Sequence, residues 1–233
     1  MLYVDKEKIG NYFFVLAILH TLFYTTMYAL NIYGFSRIVA VFSIPLLMFA
    51  YFFKSVKVDY VYLFSLLLVL VGDVTNSFWI EKYDWSVFLY GINLGFYSYY
   101  LLKEMGDNLT STRILIPAIP YSIIYFYVFY SLVDNMDGMT LGTVLFYNFF
   151  LGLFSVCTWI KLIYERSRSS FYLFISSSSA ILMSIAYLFN KSLEKLKVID
   201  DVIINFLFLF FHVAMFLYII RKEKEKYGVS KNE

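Results

Sequence analysis

Long runs of apolar residues, separated by short polar segments, dominate this chain. Each run has about the twenty residues that an α-helix needs to cross a bilayer. The runs are continuous, whereas the strands of a transmembrane barrel alternate between apolar and polar positions. We therefore predict eight transmembrane helices, over residues 11–31, 37–53, 60–80, 85–102, 113–132, 138–160, 170–190 and 202–220.

The composition supports the same class. Hydrophobic residues make up 61% of the chain and charged residues 15%, and the mean hydropathy is +0.70. Soluble domains have roughly 45 to 50% apolar and 25% charged residues. We expect an all-α fold, a polytopic membrane helical bundle of about eight transmembrane helices, in which residues 1–233 form a single integral membrane domain.

The basic residues divide unevenly between the two sides of this predicted topology. Of the 19 Lys and Arg residues, five fall on one side: Arg37, Lys82, Lys191, Lys195 and Lys197. The other fourteen fall on the side that holds both termini. Because Lys and Arg gather in cytoplasmic loops, both termini are predicted to be cytoplasmic. We expect a multi-pass protein of a bacterial cytoplasmic membrane.

Several classes of site are excluded by what the sequence lacks. Cys157 is the only cysteine, which rules out disulfides within the chain, thiolate zinc sites and iron–sulfur clusters. The net charge of +2 comes without a basic surface interleaved with aromatic residues, so no nucleic-acid partner is expected. We expect no cofactor and no metal. The oligomeric state stays open.

Asp73 is the one acidic residue inside a predicted span. A carboxylate in a membrane costs several kcal/mol, so it persists where it is paired, faces water or has a function. Asn76 and Ser77 lie three and four residues further on and share its helix face, and Gly72 leaves room for a close neighbour. The alternative is that Asp73 only forms a hydrogen bond between helices.

Depth in the membrane groups the polar residues into two layers. At a rise of about 1.5 Å per residue, three side chains lie about 20 Å from the cytoplasmic face: Asp73, Asn148 and Ser184. By the same estimate, His20, His212 and Asn93 lie at roughly 12 to 15 Å. Two histidines and one Asp are possible metal ligands, but their different depths argue against such a site.

Short motifs resemble those of the YhhN family, the lysoplasmalogenase family of eight-span membrane proteins. The run from Phe64 through Gly72–Asp73 resembles the family's third-helix signature, a Phe–Ser-rich apolar run that ends in a Gly–Asp pair. Pro45–Met48 resembles its Lys-Pro-Leu-Leu-Met segment. Tyr147 and Asn190–Lys191 match residues of its sixth and seventh helices. Span number and order agree over nearly the whole chain.

The chain departs from the family pattern at several positions. Counting back from Asn190, the family's second acidic residue falls on Ser184. The lysine before the proline is Ile44 here, and the glutamine of the last helix corresponds to His212. One of the two acidic residues of the family site is therefore replaced.

The resemblance implies hydrolysis of the vinyl ether bond of a lysoplasmalogen, with a membrane lipid or lysolipid as partner. In this interpretation Asp73 and Ser184 are catalytic, and Asp73 acts first as acid and then as base. The predicted substrate-binding residues are Asn76, Tyr147, Asn148 and His212. The alternative is a non-catalytic lipid-binding or transport protein that has lost the second carboxylate.

The family arrangement also implies a parallel duplication. Residues 1–110 and 111–233 would each form a four-helix half, related by an axis along the membrane normal. In that arrangement Asp73 and Ser184 would face each other, which agrees with their predicted depths.

Overall fold

In a computed structural model, eight α-helices account for almost all of the residues described, which are 5–30, 32, 39–78, 83–106, 110–133, 137–192 and 197–228. The helices are α1 Lys6–Ala29, α2 Ser43–Lys54, α3 Tyr60–Phe78, α4 Tyr83–Met105, α5 Ser111–Leu132, α6 Gly138–Glu165, α7 Arg168–Ser192 and α8 Lys197–Lys226. No strand occurs in these ranges. The predicted all-α fold is confirmed.

Each predicted span falls on one of these helices. Five of them are long and apolar enough in their described residues to cross a membrane: Lys6–Ala29, Tyr60–Phe78, Gly138–Glu165, Arg168–Ala186 and Val202–Lys226. The protein is thus a helical membrane protein that crosses the bilayer several times. Of the basic residues that set the predicted orientation, Arg37, Lys82, Lys195 and Lys231 lie outside the described residues.

Helix α2 is shorter than its predicted span of 37–53. It has 12 residues, because the chain makes a turn before it, in which the Phe42 N–H donates to the Val39 carbonyl at 3.1 Å. Pro45 lies in the first turn of α2, where its missing N–H leaves no helical hydrogen bond unmade. Val39 and Ala40, which precede this turn, are also helical, so the turn interrupts the predicted span.

The chain divides into two compact units. The first unit comprises Met1–Asp59 and Ser178–Glu233, and the second comprises Tyr60–Ser177. These units are groups of residues in contact, whereas the predicted halves 1–110 and 111–233 rest on a sequence duplication. The duplication stays a prediction.

In the first unit, α1 packs against α2 and α8. Gly10 lets α1 approach α2 closely, because a Cβ at this position would overlap the Lys54 side chain and lie 3.2 Å from the Ala50 carbonyl oxygen. Phe14 of α1 stacks on Phe216 of α8 with ring centroids 4.8 Å apart. A glycine and stacked aromatic rings thus join these helices.

A buried carboxylate fixes the segment that leaves α2. Glu223 of α8 is only 6% exposed and accepts hydrogen bonds from the Tyr51 hydroxyl and, at 3.2 Å, from the Val56 N–H. The Tyr51 oxygen also accepts from the Asp59 N–H at 2.8 Å. Residues 55–59 are therefore held against the end of α8.

In the second unit, α4 packs against α3 and α6, and α5 packs against α6. Gly91 and Gly95, one turn apart on α4, face rings of α6. A Cβ at these positions would lie 2.8 Å from the Phe146 ring and 3.0 Å from the Phe150 ring. Small residues in one helix thus receive large rings from the next, as is common between membrane helices.

A buried ion pair joins α4 and α6 near their C-terminal ends. The Lys161 side chain is 2% exposed, and its Nζ lies 2.8 Å from Glu104 of α4 and 2.9 Å from Glu165 of its own helix. Two carboxylates therefore surround one buried ammonium group, which fixes the register of the two helices.

Candidate functional site

Helix α3 presents one buried face to its neighbours in the second unit. The buried residues recur every three or four positions: Tyr62, Ser65, Leu66, Val69, Gly72 and Thr75. Asp73 follows Gly72 at the border of this face and is partly buried. The helix therefore places its carboxylate at the edge of a helix contact.

The partner of Asp73 is Tyr90 of α4. The Tyr90 hydroxyl donates a hydrogen bond to Asp73 Oδ1 at 2.6 Å. Its ring lies over Gly72, where a Cβ would be 2.6 Å from Tyr90 Cε1 and 3.2 Å from Cζ. The Gly–Asp pair thus has a clear physical reason, since the glycine admits the ring and the aspartate receives the hydroxyl.

This contact bears on the two interpretations of Asp73. A hydrogen bond between helices is what the purely structural interpretation requires. However, one tyrosine hydrogen occupies only part of the acceptor capacity of a carboxylate. Because Tyr90 contacts Oδ1, Oδ2 keeps its own acceptor capacity.

The predicted neighbour Asn76 is exposed, and Ser77 is partly buried. Both follow Asp73 by about one helical turn, as the spacing predicts. Asn76 lies off the buried face of α3, so it is available to a molecule that approaches this helix from outside the second unit. Its role in binding substrate stays a prediction.

Helix α6 carries Tyr147 and Asn148, which are both partly buried. The Asn148 Nδ2 group donates to the Val144 carbonyl at 2.9 Å within the same helix. A Cβ on Gly91 would lie 3.2 Å from the Tyr147 Cα. Since Gly91 directly follows Tyr90, α4 contacts α3 at the Asp73 site and α6 at the predicted binding residues.

Ser184 and His212 belong to the first unit. The Ser184 hydroxyl donates to the Ala180 carbonyl at 2.9 Å in its own helix. His212 of α8 is 3% exposed, and its Nδ1 has no hydrogen-bond partner in the described residues. The approach of Ser184 to Asp73 stays a prediction. The roles of Ser184 and His212 in the site also stay predictions.

The two layers of polar residues predicted from membrane depth are divided, though not completely, between the two units. Asp73 and Asn148 share the second unit, and His20 and His212 share the first. His20 is hydrogen-bonded to Ser43 of α2, with Nδ1 and Oγ 3.0 Å apart. In the described residues, no group of three or more His, Cys, Asp and Glu side chains is placed to hold a metal ion.

No sequence pattern singles out Tyr90. The chain has 23 tyrosines, and tyrosine is common near membrane interfaces, so composition cannot distinguish one from another. The available signal was Gly72, because a glycine beside a buried acid indicates that something large approaches there. Only the packing of α4 on α3 shows that the approaching group is the Tyr90 side chain.

Comparisons with models of protein families, with curated proteins and with solved structures found no match to this chain.

Proposed function

We propose that this membrane protein is a hydrolase that cleaves the vinyl ether bond of lysoplasmalogen-type lipids, with Asp73 as its acid–base residue. The observation that supports the proposal is the hydrogen bond from Tyr90 to Asp73 beside Gly72. This hydrogen bond fixes one carboxyl oxygen and leaves the other with capacity for proton transfer. The resemblance to YhhN proteins supplies the substrate class.

The reaction can be written with one carboxyl group. Protonated Asp73 donates its proton to the vinyl carbon that is not bonded to oxygen, which leaves an oxocarbenium ion. The resulting carboxylate takes a proton from water as that water attacks the carbon bonded to oxygen. This step returns Asp73 to its protonated form. The hemiacetal hydroxyl then loses its proton as the departing glycerol oxygen gains one, which releases a fatty aldehyde and a glycerophospho alcohol.

Tyr90 acts in this scheme as a positioning residue. Its hydroxyl donates to Oδ1 in both protonation states of Asp73, and the bond strengthens when the carboxylate is charged. It therefore favours the carboxylate that remains after the first proton transfer, and it holds Oδ2 in a constant direction. Asn76, Tyr147 and Asn148, which lie in the same unit as Asp73, are proposed to contact the lipid.

The test measures aldehyde release from lysoplasmalogens with choline and ethanolamine head groups by the purified protein in detergent. Asp73→Asn is expected to lower the rate by at least about 100-fold, because positioned acid–base groups contribute that much or more. Tyr90→Phe is expected to lower it roughly 10-fold, since a hydrogen bond to a charged group contributes about 1.5 kcal/mol or more.

Tyr60→Phe is the matched control for Tyr90→Phe. Tyr60 begins α3 and is 80% exposed, so the loss of its hydroxyl should leave the rate unchanged. Aldehyde release that survives Asp73→Asn would refute the role of Asp73.

One observation favours a second candidate, a non-catalytic lipid-binding protein. Ser184 occupies the position of the second acid in the resembled family, and its hydroxyl donates to its own helix. A serine supplies no second carboxylate to divide the acid and base roles. This candidate predicts that the protein binds lysolipid without aldehyde release, and that Asp73→Asn leaves binding intact.

A further inference from the structure

The two histidines of this chain lie near one small cavity in the first unit. The cavity is bounded by α1, α2 and α8, and Ala17, Thr21, Ser43 and His212 are among the residues that line it. The space open to the centre of a water molecule is about 20 Å³. A cavity needs roughly 10 to 15 Å³ by this measure to hold one water, so this one has room for a single molecule.

A chain of hydroxyl groups leads from His20 to the cavity. His20 Nδ1 lies 3.0 Å from Ser43 Oγ, and the Thr21 hydroxyl lies 3.2 Å from the same oxygen. Thr21 Oγ is also 2.9 Å from the Ala17 carbonyl oxygen. Ser43 and Thr21 are buried, so the protein itself must satisfy most of their hydrogen-bonding capacity.

The hydrogens in this chain can be arranged in two ways, because each hydroxyl has one hydrogen. If Thr21 donates to the Ala17 carbonyl, Ser43 can donate to Thr21 and accept from His20 Nδ1–H. If Thr21 donates to Ser43, Ser43 donates to an unprotonated His20 Nδ1. The direction of the chain therefore depends on which ring nitrogen of His20 carries the proton.

His212 of α8 also lines this cavity. It is 3% exposed, and Nδ1 has no partner in the part of the chain that the structure describes. Its near contacts are the rings of Phe208 and Phe211, at centroid distances of 4.4 and 4.6 Å. A buried polar atom left unpaired is destabilising, and a water bonded to it would relieve this cost.

We propose that the cavity binds one water molecule that connects His212 Nδ1 to the hydroxyls of Ser43 and Thr21. The water completes a hydrogen-bonded relay from His20 through Ser43 to His212, across the contact of α1, α2 and α8. Because the hydroxyl chain has two hydrogen arrangements, its direction is coupled to the choice of the His20 ring nitrogen that carries the proton. This site is separate in its residues from Asp73 and does not depend on the proposed hydrolase activity.

The chain is well suited to a direct test, since His20 and His212 are its only histidines. Protein labelled with ¹⁵N-histidine is reconstituted in lipid bilayers, and solid-state NMR measures magnetisation transfer from water protons to the imidazole nitrogens. The expected result is a water correlation at Nδ1 of His212. Absence of this correlation in the folded wild-type protein would overturn the proposal.

Two variants locate the water. Ala17→Val adds two methyl groups to the cavity wall, so the His212 correlation should be lost. Leu16→Ile changes the neighbouring residue, which is 48% exposed, and should leave the correlation unchanged. Retention of the full correlation in folded Ala17→Val protein would contradict the assigned site.

Ser43→Ala provides a test that does not rely on filling the cavity. It removes the hydroxyl that His20 and the water share, so the His20 Nδ1 shift should change and the His212 correlation should weaken. Helical circular dichroism and a single elution peak confirm the fold of each variant. If Ser43→Ala leaves both nitrogen signals unchanged, the relay is wrong.

Discussion

At the scale of single residues, Gly72 and Asp73 act together. Asp73 alone marks a polar position in an apolar helix, but Gly72 determines which group can reach it. The Tyr90 ring occupies the space over the glycine, and this brings the hydroxyl to 2.6 Å from Asp73 Oδ1. The site is therefore built from a small residue, an acid and an aromatic side chain on two adjacent helices.

Gly72→Ala is expected to disturb this site without removing any polar group. The new methyl carbon would lie 2.6 Å from Tyr90 Cε1, so the ring must move away. Overpacking of this kind costs about 1–3 kcal/mol, and we expect a lower midpoint of thermal unfolding together with weaker lysoplasmalogen hydrolysis. Unfolding in detergent and aldehyde release measure the two effects.

Gly142→Ala is the matched control for that substitution. Gly142 lies inside α6 with nothing within 4 Å of an added Cβ, and alanine is favoured over glycine in a helix by roughly 0.5–1 kcal/mol. The control should therefore be neutral or slightly stabilising. Equal losses in both variants would mean that the Tyr90 contact has no special importance.

At the scale of helices, the ends are fixed by specific polar contacts. Asp137 precedes α6 and accepts hydrogen bonds at 3.0 Å from the N–H groups of Met139 and Thr140. Its second carboxyl oxygen accepts from the Thr140 hydroxyl at 2.7 Å. This is an N-cap, in which a side chain satisfies N–H groups that the helix leaves unpaired.

The cap predicts a pH dependence of stability. The hydrogen bonds from Thr140, first that of its backbone N–H, hold the pKa of Asp137 below its ordinary value. A carboxyl group whose pKa is lower in the folded state stabilises the protein above its unfolded pKa of about 3.9 and loses this effect as the pH falls further. Asp137→Asn keeps a hydrogen-bond acceptor but cannot titrate. The thermal unfolding midpoint of this variant should therefore fall less than that of the wild-type protein between about pH 5 and pH 3.

Asp5→Ala and Asp137→Ala compare how much the N-caps of α1 and α6 stabilise the protein at neutral pH. Asp5 precedes α1 and accepts a single hydrogen bond, from the Glu7 N–H at 3.2 Å. We expect Asp137→Ala to lower the unfolding midpoint more than Asp5→Ala does. The same acid dependence in Asp137→Asn as in the wild-type protein would contradict the role of the Asp137 carboxylate in the pH response.

The helices themselves are readable from the sequence, whereas their contacts are not. Apolar runs of membrane length need no periodicity to be found, and each of the eight predicted segments contains a helix. The start of α2 differs because the local turn at Phe42 interrupts an apolar run that composition alone cannot divide. Tyr90 and the Lys161 ion pairs could not be predicted, since both depend on which helices are neighbours.

At the scale of the whole molecule, the chain is a helical membrane protein made of two compact units. The units do not follow chain order, because residues from both ends form the first unit. The apolar runs predict the order of the helices along the chain, whereas the grouping of helices into these two units depends on contacts that the runs do not specify. The catalytic proposal rests on the second unit, and the proposed relay lies in the first.

The predicted orientation of the protein in the membrane can be tested by cysteine labelling, because the chain has only one native cysteine. Cys157 is 1% exposed, so a membrane-impermeant maleimide should label the wild-type protein weakly. Cysteine introduced by Lys226→Cys, at an exposed position near the end of α8, should react only after the cells are opened, because the C-terminus is predicted to be cytoplasmic. Labelling of Lys226→Cys in intact cells would contradict the predicted cytoplasmic position of the C-terminus.

The most direct test of the proposed hydrolysis follows the transferred proton. Purified wild-type protein and Asp73→Asn are incubated with lysoplasmalogen in D₂O, and the fatty aldehyde is captured and analysed by mass spectrometry. Proton donation to the vinyl carbon predicts that the wild-type product carries one deuterium on the carbon beside the carbonyl, and that Asp73→Asn releases little product. No aldehyde above the spontaneous level, or equal release by both proteins, would contradict the assignment of Asp73 as the acid–base residue.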